Sequence, residues 1–249
     1  MAIDTLERIY PKELQSDDKF DKDVLSLHIA RYRFAAKHVK GKRILDIACG
    51  SGYGSEILLS RLSSSTHYVG VDRDLGAIRY AKENYKGPGI KFLRMDAMRF
   101  KYPGKFDSIV CLETLEHLFH PEQFVEILAK KLSDGGILIA SIPITLTTDV
   151  NPHHLHDFTE KSFISLFTRV GLILESSTIQ VQRYLPLKLL FGRKTGRART
   201  ISRGNLAYFY LVHPKMILLR LWSVLRFGFS NRYMIAMWIN TKYDKPKDR

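Results

Sequence analysis

Residues 43–54 read Arg-Ile-Leu-Asp-Ile-Ala-Cys-Gly-Ser-Gly-Tyr-Gly. The apolar run from Ile44 to Ala48 predicts a buried parallel strand, a glycine-rich turn follows at once, and Ser55 to Leu62 has the apolar spacing of a helix. Strand, glycine turn and helix in that order open a doubly wound nucleotide-binding unit. Gly50 and Gly52 let the backbone turn sharply and approach a ligand where a Cβ would collide.

Two details steer the ligand away from a dinucleotide. The glycines fall at Gly50, Gly52 and Gly54, so the third comes one place early for the dinucleotide fingerprint G-x-G-x-x-G. An acid, Asp46, sits inside the strand, where a carboxylate can face a cationic ligand but would repel a pyrophosphate. Further on, Val69-Gly70-Val71-Asp72 supplies a second strand ending in an acid suited to ribose hydroxyls. Asp-x-x-x-Gly-x-Gly followed by such an acid resembles the S-adenosylmethionine site of class I methyltransferases; another Rossmann-type domain is the alternative.

Outward from this unit the chain alternates strand and helix. His67 to Asp72 is the second strand, Asp74 to Tyr85 a helix with Asp74 as its N-cap, and Ile90 to Met95 the third strand. Phe106 to Leu112 is the fourth strand, Pro121 to Leu132 a helix, and Ile137 to Ile142 the fifth strand, ended by Pro143. Thr159 caps a helix to about Val170, Leu172 to Gln182 is the sixth strand, and Tyr233 to Asn240 the last. The expected fold is α/β, a doubly wound, seven-stranded, mostly parallel sheet. Residues 42–182 and 233–243 form its core, and residues 183–232 form a basic, partly helical insertion before the last strand, longer than a hairpin needs. Residues 1–41 are an N-terminal segment containing a helix from Val24 to Val39, closed by Gly41.

Glu7-Arg8, Pro11, His28, Arg31-Tyr32, Phe34-Ala35 and Gly41-Lys42 run straight into Leu45-Asp46-Ile47-Ala48-Cys49-Gly50 and Gly52-Tyr53-Gly54-Ser55. In this the chain is similar to methyltransferases of bacterial surface-polysaccharide and O-antigen pathways. That resemblance implies an N-terminal segment folded over S-adenosylmethionine, with Arg31 and Tyr32 either serving the site or packing on the helix surface. It also implies cofactor contacts from Asp46, Gly50, Gly52, Tyr53, Asp72, Arg73, Asp96, Ala97, Leu112 and Glu113, with the acid at Asp96 taking the adenine amino group.

Chemistry is expected after the fourth strand, where Cys111-Leu112-Glu113-Thr114-Leu115-Glu116-His117-Leu118 meets the ligand crevice at the carboxyl ends of the strands. One helical turn would put Glu113 and Glu116 on one face with His117 adjacent, and His154 lies in the loop after the fifth strand. A neutral histidine, His117 or His154, suits the proton-accepting role at physiological pH. Two carboxylates and two imidazoles also suit a divalent ion such as Mg²⁺ or Mn²⁺. Glu-x-x-Glu-His with a later His resembles the metal site of small-RNA 2′-O-methyltransferases and quinone-pathway O-methyltransferases, which implies Glu113, Glu116, His117 and His154 as ligands. In the absence of metal, Glu113 would contact the cofactor side and His117 would act alone. His153 and His156 read as loop residues or substrate contacts.

At 45% hydrophobic and 26% charged residues the chain is globular rather than disordered. Cys49 and Cys111 give no disulfide framework and suit a reducing cytosol. The N-terminus lacks an apolar signal core, and no run of about 18 apolar residues spans a membrane, so a cytoplasmic location is expected. The net charge is +14, and from Ser176 to Tyr243 there is no acid against twelve Lys or Arg. An anionic partner follows: a membrane inner face, a phosphorylated glycan carrier or a nucleic acid. Pro214 to Phe227 predicts a helix with Ile217, Leu218, Leu221, Trp222, Val224 and Leu225 on one face. Lys215, Ser223 and Arg226 lie opposite and Arg220 at the border, the composition of an interfacial membrane helix or of a helix docked on its own core. Arg193, Lys194, Arg197, Arg199 and Arg203 suit phosphates, and few aromatics accompany them, which disfavours a base-stacking nucleic-acid surface. The function expected is S-adenosylmethionine-dependent O-methylation of a glycan or lipid-linked acceptor. RNA 2′-O-methylation and quinone O-methylation are the enzymatic rivals, and a lipid- or nucleic-acid-binding module on the same fold is the non-enzymatic one.

Overall fold

The computed structural model describes residues 9–14, 19–148, 151, 153–183 and 203–241, with backbone alone at 19–21 and 203–207. Its first half runs α1 (Lys19–His38), β1 (Arg43–Ile47), α2 (Gly54–Leu59), β2 (His67–Asp72), α3 (Leu75–Asn84), β3 (Ile90–Arg94) and β4 (Phe106–Leu112). Then come α4 (Pro121–Lys131), β5 (Leu132–Pro143), α5 (Glu160–Thr168), β6 (Leu172–Arg183), α6 (Arg203–Val212), α7 (Pro214–Phe227) and β7 (Ser230–Asn240). The strands form one sheet in the order β3-β2-β1-β4-β5-β7-β6, parallel except for β7, which runs antiparallel to both its neighbours. The doubly wound, seven-stranded, mostly parallel architecture expected from the sequence is therefore the one that forms. Its strand order reverses between β1 and β4, and a ligand crevice belongs at the carboxyl ends there.

Parallel strands covered by helices on both faces must be apolar on both faces. Accordingly Leu45 and Ile47 enter one core cluster while Ile44 and Tyr68 enter the cluster on the opposite face. Trp238 of β7 is fully buried, stacked on Phe167 at 4.0 Å and edge-on to Phe163 at 5.2 Å, which seals α5 onto the sheet. Asp74 caps α3 as expected, its carboxylate accepting from the Ala77 N–H at 2.7 Å.

Several boundaries shift from the expected ones. β1 ends at Ile47 rather than Ala48, because Ala48 turns left-handed at φ 61° to start the glycine turn. β5 begins at Leu132, where it pairs with Phe106 across an irregularity, instead of at Ile137. β6 and β7 pair from Leu172 with Asn240 to Arg183 with Ser230, so the last strand begins at Ser230, ahead of the expected Tyr233. Arg193, Lys194, Arg197 and Arg199 lie outside the described residues, as does the side chain of Arg203.

Asp46 corrects the expectation of a ligand-facing carboxylate. It is fully buried on the face it shares with Ile44, under Tyr32 of α1, and does not itself line the crevice. Both Tyr32 and Tyr68 donate their hydroxyls to its Oδ2, at 3.1 and 2.7 Å, while Oδ1 has no hydrogen-bond partner among the described residues. Burial pushes the carboxyl up to about 7, against the lowering effect of the two hydroxyls. The folded chain therefore holds a proton there that the unfolded chain releases near pH 4, so this contribution to stability is lost as pH rises from about 4 through about 7. Asp46→Asn keeps an acceptor for both tyrosines without the charge. Its melting temperature should exceed that of the wild type by a margin that grows between pH 5 and pH 8; a margin independent of pH would show that Asp46 is not the titrating group.

Candidate active site

At the switch point lies a cavity of about 400 Å³, within the range of small-molecule sites. One wall is the turn after β1, from Ala48 to Ser51. Gly50 is left-handed (φ 55°), and a Cβ built on it would meet no protein atom within 4 Å, so the space above it belongs to whatever fills the cavity. The Gly50 N–H donates to Asp72 Oδ2 at 3.0 Å, and Asp74 N–H donates to Asp72 Oδ1 at 2.9 Å. The carboxylate at the end of β2 thus fixes the glycine turn while facing the cavity. Arg73, Asp96, Ala97 and Leu112 line the same space, with Asp96 capping its own short turn through Met98 N–H at 2.9 Å.

Gly52 was expected at the cofactor and sits elsewhere. A Cβ there would strike the Ala81 methyl at 2.6 Å and the Phe92 ring at 2.9 Å, so it is small to let α3 and β3 close in beneath the turn. Tyr53 does line the cavity, its ring edge-on to Tyr32 at 5.4 Å and its phenol pushed up by burial.

The N-terminal segment supplies a second wall. Val24, His28 and Tyr32 recur every four residues on α1 and present one face to the cavity, and Ile9 joins them with its carbonyl accepting the Ser51 hydroxyl. Burial, and then the neighbouring Arg31 charge, hold His28 down to about 3, so its ring is neutral. Arg31 is buried rather than on the helix surface: its guanidinium lies 4.2 Å over the Tyr233 ring and 3.6 Å from Glu113.

Glu113 departs from the expected helical turn. It is left-handed (φ 49°), and only Leu115–His117 forms a short 3₁₀ turn, so Glu113 and Glu116 do not share a face. Glu113 points to Arg31 and accepts the Ser141 hydroxyl at 2.7 Å. The residues that do converge are Glu116, His117 and His154, with one ligand atom from each within 4.8 Å of the others.

The two imidazoles meet edge to face at 4.7 Å. His117 Nδ1 lies 3.1 Å from the His153 carbonyl, which only accepts, so Nδ1 carries the hydrogen and a neutral ring has its lone pair on Nε2. That Nε2 is 4.0 Å from Glu116, which is buried. His154 shares a 2.7 Å hydrogen bond with the Thr147 hydroxyl. Burial first, then His117 and His153, hold His154 down to about 3, and it is neutral throughout the physiological range.

His153 and His156 do not reach the cavity as substrate contacts; they latch two segments together. Besides the His153 carbonyl on His117, His156 Nε2 donates to the Leu118 carbonyl at 2.9 Å and Leu155 N–H to the Glu116 carbonyl at 2.7 Å. Asp157 ties the same loop back, accepting from Thr147 N–H at 2.7 Å and the Thr148 hydroxyl at 2.6 Å. Thr147 and Tyr233 are site residues that sequence reasoning gave no role, and His28 entered it only as part of the N-terminal motif. Only His28 carried a readable signal, its four-residue spacing from Val24 and Tyr32.

Residues 38–178 match the sequence model of a family described as a methyltransferase domain. A phthiotriol/phenolphthiotriol dimycocerosates methyltransferase of Mycobacterium ulcerans is 28% identical over 202 residues, 73% of this chain and 71% of that one. A ubiquinone biosynthesis O-methyltransferase of Chromobacterium violaceum is 26% identical over 142 residues, 55% of this chain and 60% of that one. Among solved structures, the N-methyltransferase NodS of Bradyrhizobium japonicum WM9, bound to S-adenosyl-L-homocysteine, superposes with a TM-score of 0.55 at 15% identity, covering 91% of this chain and 90% of the other. At that identity the likeness is one of fold.

Proposed function

The chain belongs to the methyltransferase domain family and is an S-adenosylmethionine-dependent methyltransferase, and on that premise we propose that it methylates a hydroxyl of a glycan or glycolipid-type acceptor. The observation that carries the hydroxyl is the pair of touching imidazoles, His117 and His154, on the cavity wall. An oxygen acceptor, unlike a free amine, needs its proton removed as it attacks, and an imidazole with an open lone pair does this near neutral pH. The surface-polysaccharide resemblance over residues 7–55 supports a glycan-type acceptor, and the O-methyltransferase among the relatives supports an oxygen as the methylated atom.

The residues present fit the cofactor: an open left-handed glycine, a carboxylate at the end of β2 for a diol, and an acid at Asp96 for an amino group. When bound, S-adenosylmethionine supplies a methyl group on a positively charged sulfur. Asp72 would hold the ribose and Asp96 the adenine edge. Glu113, fixed by Arg31 and Ser141, forms part of the cavity wall and would bound the cofactor there. His117 Nε2 takes the acceptor proton, and the hydrogen bond of Nδ1 to the His153 carbonyl keeps the ring aimed while its charge rises. Since the sulfur leaves readily, the protein's main contribution is proximity and orientation.

A second reading is favoured by the convergence of one carboxylate and two imidazoles within 4.8 Å. Glu116, His117 and His154 would hold a Mg²⁺ or Mn²⁺ ion, which would lower the acceptor hydroxyl's pKa. The acceptor proposal is tested with methyl-labelled S-adenosylmethionine and lipid and polysaccharide fractions from the source cells. Label should enter a glycan or glycolipid as a base-stable methyl ether. Label confined to RNA or to a quinone would assign the acceptor to those classes instead.

A further inference from the structure

The geometry points to α6 and α7 as a docking surface for an anionic phospholipid bilayer. The sequence predicts an apolar stripe on α7 with Ser223 opposite it. In the fold it is Ser223 that turns inward, at 9% exposure, and Arg220 that reaches the protein body, donating to the Leu146 carbonyl at 3.0 Å. The stripe is thereby left facing out: Leu218 is 69% exposed, Leu225 86% and Trp222 54%, and Leu211 on the adjoining α6 is 78% exposed. A monomeric soluble protein rarely leaves so many large apolar side chains contiguous and uncovered, and such patches mark interaction sites.

Charge selects the occupant. No Asp or Glu occurs from Ser176 to Tyr243, against twelve Lys or Arg, so the helices and the chain leading into them carry one sign. Arg226 lies 5.0 Å over the Trp222 ring, which puts a guanidinium beside the apolar stripe where lipid phosphates would lie. A positively charged rim around Leu and Trp matches a headgroup–acyl boundary; a second protein would have to bring its own acidic rim. No helix among the described residues is long and apolar enough to cross a membrane, so the contact is interfacial.

The surface also adjoins the site. Leu146, which holds Arg220, precedes Thr147, whose hydroxyl holds His154, and Arg232 N–H, beyond α7, bonds the Thr145 hydroxyl. Phe119, two residues past His117, is 79% exposed. Docking through α7 would bring the loop that positions His154 close to the lipid surface, where a lipid-linked acceptor resides; this last step rests on the acceptor class proposed above, whereas docking itself does not.

The test is sedimentation with vesicles of phosphatidylcholine alone and of phosphatidylcholine with an equal part of phosphatidylglycerol. The protein should sediment with the anionic vesicles and weaken as salt rises, each nearby Lys or Arg contributing roughly a threefold to tenfold factor. Trp222 emission should shift to the blue on binding, a change absent from Trp222→Phe because Trp238 is already buried. Leu218→Glu/Leu225→Glu should reduce partitioning by about tenfold or more while S-adenosylhomocysteine affinity, measured in the same preparation, stays as in the wild type. Indifference to anionic vesicles would overturn the proposal. So would full binding by the double variant, or Trp222 emission already blue without lipid, which would mean that the chain's own residues 184–202 or a second copy cover the stripe. Binding to RNA with a steep salt slope in place of vesicles would overturn it equally. Vesicle binding is read without turnover, so its failure leaves the methyl-transfer assignment standing.

Discussion

Asp72→Ala should lose S-adenosylhomocysteine affinity by about 10²-fold or more. The carboxylate has two duties. It accepts from Gly50 and Asp74 N–H groups, which fixes the turn after β1, and it faces the cavity where the ribose diol belongs. A hydrogen bond to a charged group is worth roughly 1.5–3 kcal/mol and each 1.4 kcal/mol is tenfold, so losing two ribose contacts yields that factor before any loosening of the turn. Asp72→Asn separates the duties. It retains an acceptor for Gly50 but removes the charge, and should fall between wild type and Asp72→Ala. Calorimetry that finds Asp72→Ala unchanged would remove the cofactor from this end of β2.

The second large effect is on turnover. His117→Ala and His154→Ala should each lower kcat by roughly 10²–10⁴-fold with S-adenosylhomocysteine affinity little altered, the range expected for a positioned proton acceptor. The rings touch and share the Thr147–His153 loop, so the double variant should lose little more than the worse single one. Thr147→Val, which leaves both rings in place but frees His154 Nδ1, should produce a smaller loss. Chelation separates the two chemistries. Activity that survives exhaustive chelation belongs to the imidazole base alone; activity lost and then restored by Mg²⁺ or Mn²⁺ belongs to the Glu116–His117–His154 ion site. Equal loss of cofactor affinity and turnover in the histidine variants would show that they build the cavity and do not act in the reaction.

The strand–glycine–helix opening was legible because a parallel strand buried on both faces must be a continuous apolar run, and glycines at the left-handed positions 50 and 52 mark the turn after it. Asp72 and the N-cap Asp74 were legible for the same reason, since strand ends in an open α/β sheet face the crevice. Asp46 was misread although its parity was visible. It alternates with Leu45 and Ile47 and shares the side of Ile44, which is the side α1 covers. Glu113 misled because Glu-x-x-Glu suggests a helical turn, whereas a left-handed residue at 113 sends that side chain to Arg31, a partner on a distant element. His153 and His156 lie beside His154 in sequence, and nothing local distinguishes the ring that enters the cavity from those that tie Leu115–His117 to the loop. For α7 the amphipathic pattern was plain, but which face turned inward depended on Arg220 meeting the Leu146 carbonyl, a contact between residues far apart in the chain.

The most direct measurement is a crystal structure of the protein with S-adenosylhomocysteine bound. The ribose diol should lie on Asp72, the adenine amino group at Asp96, and the thioether sulfur should point toward His117 and His154 with room for an acceptor oxygen between. A ligand seated elsewhere, or one whose sulfur is turned away from both histidines, would contradict methyl transfer at this site.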